Sequence, residues 1–284
     1  MAPVLHRMKQ GTPLSRAFIS LAVGSVVLAA VTMVSSLAAP SLSQQSGEPG
    51  IERVLVPGEE LVYKVSYLFN LGEIRTKVLE QHRDNGQLRY KLAAYIKSYP
   101  LVPYRVRSTM ESSVDSLYRS CWYQSKELDG GEWKYIRYTY GNGGRSVAVK
   151  IWRGGETLVD TVLQTKGDFQ DGLSLLFFAR GVVHRRGTVS VPTLAGSMEG
   201  TTYLNLTGET TRVQIDAVGY PVKVLRFDGR ADFIGFFGLT GGFEGWFSND
   251  DASIPITAKL HVIIGSVSVE LQEWKRPGWN PPKW

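Results

Sequence analysis

The sequence predicts a mainly β domain, an antiparallel sheet that curls or meanders into a barrel-like form, with one short helix near its centre. Three observations indicate this fold. Short segments rich in Tyr, Trp, Phe, Val and Thr recur along the chain, and such residues favour strands. Turn signals such as Asp84-Asn85-Gly86 and Gly141-Asn142-Gly143-Gly144 lie between them, as expected for hairpins. Only one segment has helical spacing.

Strand-like segments fill the first half of the chain. They cover residues 60–67, 72–81, 88–95, 105–114, 121–128, 133–140 and 146–152. In the sixth segment, alternation places Trp133 and Tyr135 on one face, and Ile136 and Tyr138 on the other. Because both faces carry aromatic rings, we expect neither face of this strand to be fully exposed to water.

The segment Asp171–Arg180 interrupts the strands and predicts a helix over roughly residues 170–181. Its spacing is i, i+3, i+4 and i+7 for Leu173, Leu176, Phe177 and Arg180. Asp171 is a suitable N-cap, because its carboxylate can accept hydrogen bonds from the first helical N–H groups. Gly181 is a suitable C-terminal stop.

Strands resume after the helix, and the segments Leu206–Glu209 and Val218–Pro221 are predicted turns. The strands cover residues 187–191, 201–206, 211–217, 222–227, 242–247, 254–262 and 266–273. No linker divides the chain, so we expect one β-rich domain over residues 54–273. The tail, residues 274–284, is rich in Trp and Pro and is expected to be either an extended cover over the sheet or loose.

The N-terminus has the layout of a secretory signal. Arg7, Lys9 and Arg16 precede an apolar run over residues 17–34, and the small-x-small triplet Ser36-Leu37-Ala38 follows. A basic start, an apolar middle and a small-residue cleavage site are typical of signal peptides. We therefore expect residues 1–38 to be a signal peptide and the protein to be periplasmic or otherwise exported.

A retained inner-membrane anchor over residues 17–38 is the alternative, because the apolar run approaches the ~18–20 residues that span a bilayer. Membrane association is expected only in that case. The polar residues 39–53 that follow are predicted to form a disordered spacer.

Composition excludes some classes of function. Residues after the signal include 29 basic and 26 acidic residues, a net charge of +3, which argues against a nucleic-acid-binding protein. Cys121 is the only cysteine, so no intramolecular disulfide is possible. We expect it to act as a small apolar strand residue rather than as a catalytic thiol.

No motif of a known catalytic or cofactor site is present. The sequence lacks a nucleophile elbow, a zinc-protease helix, a phosphate loop and a dinucleotide fingerprint. We predict no catalytic residues, no cofactor and no metal site. The acidic pairs Glu59/Glu60 and Asp168/Asp171 leave a carbohydrate-acting enzyme open as an alternative, since many glycosidases use two carboxylates.

Two apolar segments are candidate ligand sites. A loop with four Phe and four Gly over residues 232–243 could be a flexible flap over a cavity. The helix could cover the concave side of the sheet. The candidate ligand-binding residues are Phe177, Phe178, Phe233, Phe236 and Phe237. In the alternative interpretation these rings fill a packed core. A basic stripe of Lys97, Arg105, Arg107 and Arg119 could contact anionic lipid headgroups, or could be a solvated strand face.

Four motifs, in order, resemble an exported bacterial family known as domain of unknown function 3108. They are Gly58-Glu59-Glu60-Leu61-Val62-Tyr63, Glu111-Ser112-Ser113-Val114-Asp115, the helix Asp171-x-x-Ser174-x-x-Phe177-Phe178-x-Arg180, and a closing hairpin from Trp246 through Val267. The resemblance covers residues 57–273 and implies an exported β-rich protein of the cell envelope. It carries over no catalytic residue. Asp171, Ser174 and Arg180 are its motif positions, and capping and helix-to-sheet anchoring suit them.

The leading hypothesis is therefore a non-enzymatic periplasmic protein that binds a lipid, an acyl chain or another amphipathic ligand. Curled sheets and barrels commonly enclose such ligands. One alternative is an envelope assembly module that binds another protein through its sheet edges or its Trp-rich tail. The carbohydrate-acting enzyme is the other.

Overall fold

The computed structural model describes residues 50–102, 105–129, 131–165, 167–234, 240–261 and 265–284. The signal-like segment and most of the predicted spacer lie outside these ranges. The described chain forms one antiparallel sheet of 14 strands that curls without closing. The predicted fold class is thereby confirmed.

The first half of the chain begins with helix α1 (Ile51–Val54) and continues as eight strands. These are β1 (Glu60–Ser66), β2 (Asn70–Asp84), β3 (Gln87–Ser98), β4 (Arg107–Asp115), β5 (Ser120–Asp129), β6 (Glu132–Gly141), β7 (Ser146–Arg153) and β8 (Glu156–Gln164). Each pairs with the next through a short connection. Ile51 and Val54 of α1 are buried, so the packed chain starts slightly before the predicted boundary at Val54.

Helix α2 (Ser174–Val182) connects the two halves. The second half contains β9 (Gly187–Ala195), β10 (Met198–Val213), β11 (Val222–Ile234), β12 (Thr240–Ser248), β13 (Pro255–His261) and β14 (Ser266–Lys275). The strand order is β8 to β1 followed by β14 to β9. The first and last strands therefore pair in the middle of the sheet, and β8 and β9 form its edges.

Five details differ from the predictions. Gly181 is not the C-terminal stop of the helix, because it lacks a positive φ and α2 continues to Val182. The predicted loop over residues 232–243 is shorter than expected, since β11 extends to Ile234 and β12 begins at Thr240.

Strand β8 was not predicted, because nearly all of its residues are exposed and the segment lacks one clearly apolar face. The predicted turn at Leu206–Glu209 is wrong: β10 continues through it with a register shift, and Gly208 adopts a positive φ of 64°, as in a β-bulge. Helix α2 starts at Ser174 rather than near residue 170, because Gln170 instead bridges to Thr193 of β9.

Helix α2 fills the space inside the curled sheet. Its neighbouring residues Phe177 and Phe178 belong to different apolar clusters. Phe177 packs with residues of β2 to β7, whereas Phe178 packs with residues of β9 to β12. A third cluster joins β1, β13 and β14 to the tail residue Trp279. One short helix thus supplies core to both halves.

The tail lies against the domain as an extended segment. Lys283 forms a bridge with Val222, and the Lys223 N–H donates to the carbonyl of Pro282. The indole N–H of Trp279 donates to Asp250 at 2.8 Å. The tail is therefore an extended cover over the sheet rather than a loose segment.

Strand β6 is partly buried on both faces, as predicted. Ile136 and Tyr138 are buried inside the sheet. On the outer face, the ring of Tyr135 stacks on Trp152 with centroids 5.2 Å apart, and the Lys126 ammonium lies 4.3 Å from the centroid of Trp133. These cross-strand aromatic and cation–π contacts stabilise the sheet from outside.

Candidate functional site

Asp171 is the centre of a buried polar cluster at the start of α2. Its side chain is fully buried. The hydroxyls of Ser112 and Ser120 each donate to its Oδ2 atom at 2.8 Å. Its Oδ1 atom accepts the backbone N–H groups of Leu173 at 2.9 Å and Ser174 at 2.8 Å. The carboxylate therefore caps the turn that leads into α2, although the N-cap position of the regular helix is Leu173 rather than Asp171, and it also fastens this turn to β4 and β5.

Ser174 completes this cluster. Its hydroxyl lies 2.6 Å from that of Ser120 and accepts the backbone N–H of Asp171 at 2.9 Å. Burial raises the pKa of Asp171, and the hydrogen bonds from the backbone and the serines oppose that shift. The cluster binds one carboxylate with four donors, which is the environment of a structural anchor.

Arg180 forms a second buried anchor near the end of α2. Its guanidinium pairs in bidentate fashion with Glu59, at 2.6 and 3.0 Å. It also donates to the carbonyls of Val54 at 3.0 Å, Ala252 at 3.0 Å and Ser253 at 3.2 Å. Because the guanidinium is planar, its two parallel hydrogen bonds fix the orientation of the carboxylate.

Arg276, at the end of β14, donates to the same Glu59 carboxylate. Glu59 is 1% exposed and Arg180 is fully buried. The anchor therefore ties four segments together: the chain before β1, helix α2, the turn after β12, and the tail. The motif positions Asp171, Ser174 and Arg180 all act as anchors, whereas no anchoring role was predicted for Glu59, which was named in the first motif and in an acidic pair.

The carboxylates predicted as acidic pairs do not face each other. Glu59 binds two arginines inside the domain, whereas Glu60 pairs with Arg75 and Lys77 on β2. Asp171 is enclosed by four donors. In the described ranges, no group of three or more His, Cys, Asp and Glu side chains could hold a metal ion. Burial raises the pKa of Cys121 to about 11, so its thiol is protonated at neutral pH.

Gly181 lets α2 approach the loop between β4 and β5. A methyl group at this position would lie 2.5 Å from the ring of Tyr118, a residue held at a positive φ of 60°. We expect Gly181→Ala to lower the free energy of unfolding by about 1–3 kcal/mol through this overlap, measured by urea denaturation. Gly167→Ala is the control, because no atom lies within 4 Å of its added methyl group. An unchanged Gly181→Ala variant would contradict the close approach.

The predicted ligand-binding residues are only partly assembled. Phe177 and Phe178 are 1% and 4% exposed and lie in the packed interior. Phe233 belongs to β11. Phe236 and Phe237 lie outside the described residues.

A row of three aromatic rings, here called the aromatic track, runs along the inner face of β11 and β12. It consists of Phe247, Phe227 and Phe243. The rings of Phe227 and Phe247 stack with centroids 4.8 Å apart, and Phe243 follows at 6.1 Å from Phe227. Phe247 and Phe227 are buried, whereas Phe243 is only partly buried. The track therefore leads from the core toward the sheet end where β12 begins.

Two glycines make room for the aromatic track. Gly229 pairs with Phe243, and Gly245 pairs with Phe227. A Cβ atom at Gly229 would lie 2.5 Å from the Phe243 ring, and a Cβ atom at Gly245 would overlap the Phe227 ring. Glycine in a strand often marks such a close approach.

The predicted basic stripe is divided between the two sheet ends. Lys97 and Arg107 are cross-strand partners, and Arg105 precedes β4 at the same end. Arg119 lies after β4 at the opposite end, where it pairs with Asp115 at 2.6 Å. Only Lys97, Arg105 and Arg107 therefore lie together, and Arg119 is not part of the basic stripe.

Comparisons with known proteins agree with the fold. Residues 62–272 match the family model described as "Protein of unknown function (DUF3108)". No curated protein matches the sequence. Among solved structures, the chain is similar to a β-barrel-like protein of domain of unknown function DUF1849 from Brucella abortus. That similarity has 8% identity and a TM-score of 0.50, and covers 78% of this chain and 98% of that one.

The chain is also similar to a protein of YmcC-like fold from Bacteroides fragilis, with 6% identity, a TM-score of 0.32, and coverage of 78% and 96% of the two chains. The first similarity supports the architecture alone, because the identity is only 8%. The TM-score of the second is too low to support a conclusion about the fold. In the described ranges, no helix is both long enough and apolar enough to cross a membrane.

Proposed function

As the chain belongs to the family described as "Protein of unknown function (DUF3108)", we propose that it is an exported, non-enzymatic envelope protein that binds an amphipathic lipid. The aromatic track carries this proposal. An acyl chain would lie on the ring of Phe243, the partly buried member of the track, with its head group at the end of the sheet where β12 begins.

The chemistry of the track suits an acyl chain. Apolar pockets bury most of a ligand's surface and use few polar groups, and the track is made of rings and glycines. Phe243 is the accessible ring, because it is only partly buried where the track reaches the sheet end. A ligand that covered this ring would remove apolar surface from water.

The buried polar groups support a binding role over an enzymatic one. Catalytic acids and bases need access to a substrate. Glu59 and Asp171 are enclosed by protein donors, and both connect α2 to the sheet. Their positions fit a rigid frame around the track, and they favour neither proton transfer nor a two-carboxylate mechanism.

Native mass spectrometry of the protein purified from the periplasm tests the proposal. We expect the wild-type chain to carry a co-purified lipid mass. Phe243→Asp should lose that mass, because a charge on the track opposes an acyl chain, and Phe243→Ala should retain part of it. Leu158→Asp, at an exposed apolar residue on β8, is the control and should carry lipid. A wild-type chain that is apo and also fails to bind lipid extracts would refute the proposal.

An assembly module is the second candidate, and the edge strand β8 favours it. Strand β8 pairs only with β7 among the described strands, and its Leu158 and Val162 are 48% and 58% exposed. Exposed strand edges can accept a strand from another chain. An apo result in the lipid experiment would direct attention to this edge.

A further inference from the structure

Exposed apolar side chains are concentrated at two neighbouring turns at one end of the sheet. The turn between β1 and β2 carries Leu68, which is 85% exposed, and Phe69, which is 54% exposed. The connection between β3 and β4 carries Leu101, which is 94% exposed. These three residues are here called the apolar tip.

The two turns are held side by side by backbone hydrogen bonds. Tyr99 donates its N–H to the carbonyl of Leu71 at 2.9 Å, which ties the second turn to the start of β2. Val102 donates to the carbonyl of Tyr99 at 3.1 Å and closes a tight turn around Leu101. The leucines are therefore presented on ordered turns.

Basic side chains flank the apolar tip. Arg105 and Arg107 are exposed and make no ion pair within the part of the chain that the structure describes. Lys97 is 60% exposed, and its nearest carboxylate is Glu73 at 3.8 Å. Glu73 also accepts a bond from Arg75, so it neutralises Lys97 only in part. The apolar tip is therefore flanked by three basic side chains, of which only Lys97 is partly neutralised.

This arrangement fits a bilayer better than a protein partner. Protein interfaces bury apolar residues in complementary pockets, whereas isolated leucines on projecting turns need only a fluid hydrocarbon phase. Interfacial membrane contacts combine apolar side chains, which enter the acyl region, with Lys and Arg, which contact anionic headgroups.

We propose that the apolar tip docks the protein on an anionic lipid bilayer, with Leu68, Phe69 and Leu101 entering the interface. Arg105, Arg107 and Lys97 contact the lipid phosphates. This docking is separate from ligand binding on the aromatic track. The two surfaces share one end of the sheet, because the β1–β2 turn and the start of β12 lie at the same strand ends. A docked protein would thus hold its track near the membrane.

Vesicle co-sedimentation tests this proposal on the chain without residues 1–38, the predicted signal peptide; every residue of the described sheet lies after this segment. The vesicles are phosphatidylethanolamine with one quarter phosphatidylglycerol, or neutral phosphatidylcholine alone. We expect preferential binding to the anionic vesicles. Leu68→Asp/Leu101→Asp should weaken it by roughly tenfold or more. Arg105→Gln/Arg107→Gln should reduce both the preference and its salt dependence.

The control is Leu158→Asp/Val162→Asp, which places the same charges at exposed apolar residues of β8 and should bind as the wild type does. Circular dichroism verifies that each variant is folded. A Leu68→Trp variant adds a direct readout, since its fluorescence should shift to the blue on binding. Wild-type protein that ignores anionic vesicles, or tip variants that bind unchanged, would overturn the docking proposal. Phe243→Asp should still dock, which separates this outcome from failure of the lipid-binding proposal.

Discussion

Arg180→Leu is expected to lower the free energy of unfolding by about 3–5 kcal/mol, the effect of removing one partner from a buried ion pair. The substitution leaves Glu59 buried with only Arg276 as a charged partner. It also removes the donors to the carbonyls of Val54, Ala252 and Ser253, and unsatisfied buried groups are costly. Urea denaturation followed by tryptophan fluorescence measures the change.

Arg53→Gln is the matched control for this prediction. Arg53 pairs with Asp251 at 2.5 Å, but both side chains are 64% exposed. Exposed pairs contribute about 0.2–1 kcal/mol, so this variant should stay close to the wild type. The double variant Glu59→Met/Arg180→Leu should recover part of the lost stability, because it removes the uncompensated charge. Equal effects of Arg180→Leu and Arg53→Gln would show that the buried pair is not an anchor.

Asp171→Ala is expected to cost about 3–5 kcal/mol. It removes the acceptor for the N–H groups of Leu173 and Ser174, a capping loss of about 0.5–2 kcal/mol. It also leaves the hydroxyls of Ser112 and Ser120 without their acceptor, at about 1–3 kcal/mol for a buried unsatisfied group. Asp171→Asn should cost much less, since the amide oxygen can replace one carboxylate oxygen and the hydroxyls can rotate. Thermal and urea unfolding measure both variants.

The raised pKa of Asp171 makes the difference in unfolding free energy between the wild type and Asp171→Asn depend on pH. Burial raises the folded-state pKa of the carboxyl above its ordinary value, which is about 3.9 in unfolded chains. Between these two values the folded state binds more protons than the unfolded state. Stability supplied by the protonated carboxyl is therefore lost as the pH rises through this window.

The wild type should accordingly lose stability relative to Asp171→Asn as the pH is raised from about 4 toward neutrality. The difference in unfolding free energy between the two proteins, measured at several pH values, isolates this carboxyl. Asp160→Asn is the control, because the Asp160 side chain is 66% exposed. A difference between wild type and Asp171→Asn that is independent of pH would refute the raised pKa.

Much of the candidate site could be predicted because its signals are local. Asp171 and Ser174 lie at the start of one helix, and their spacing alone indicates where that helix begins. Its end was predicted less well, because Gly181 lies inside α2 rather than after it. Among the partners of that helix, Glu59 and Ser112 lie in the motifs of the family resemblance, but two others gave no signal. Ser120 precedes a strand-like segment without any motif, and Arg276 lies in a tail that regular patterns do not describe.

The sequence by itself determined the mainly β class, the position of α2 and most strand segments, because alternation and turn chemistry act between neighbouring residues. Only the tertiary structure decided the features that do not depend on local alternation or turn residues. Strand β8 buries only Val159 and Leu163, and these only in part, and β10 continues through a glycine bulge whose sequence resembles a turn. The pairing of β1 with β14, and of Glu59 with an arginine 121 residues away, depends on burial. A charged pair far apart in sequence is fixed only when packing removes both partners from water.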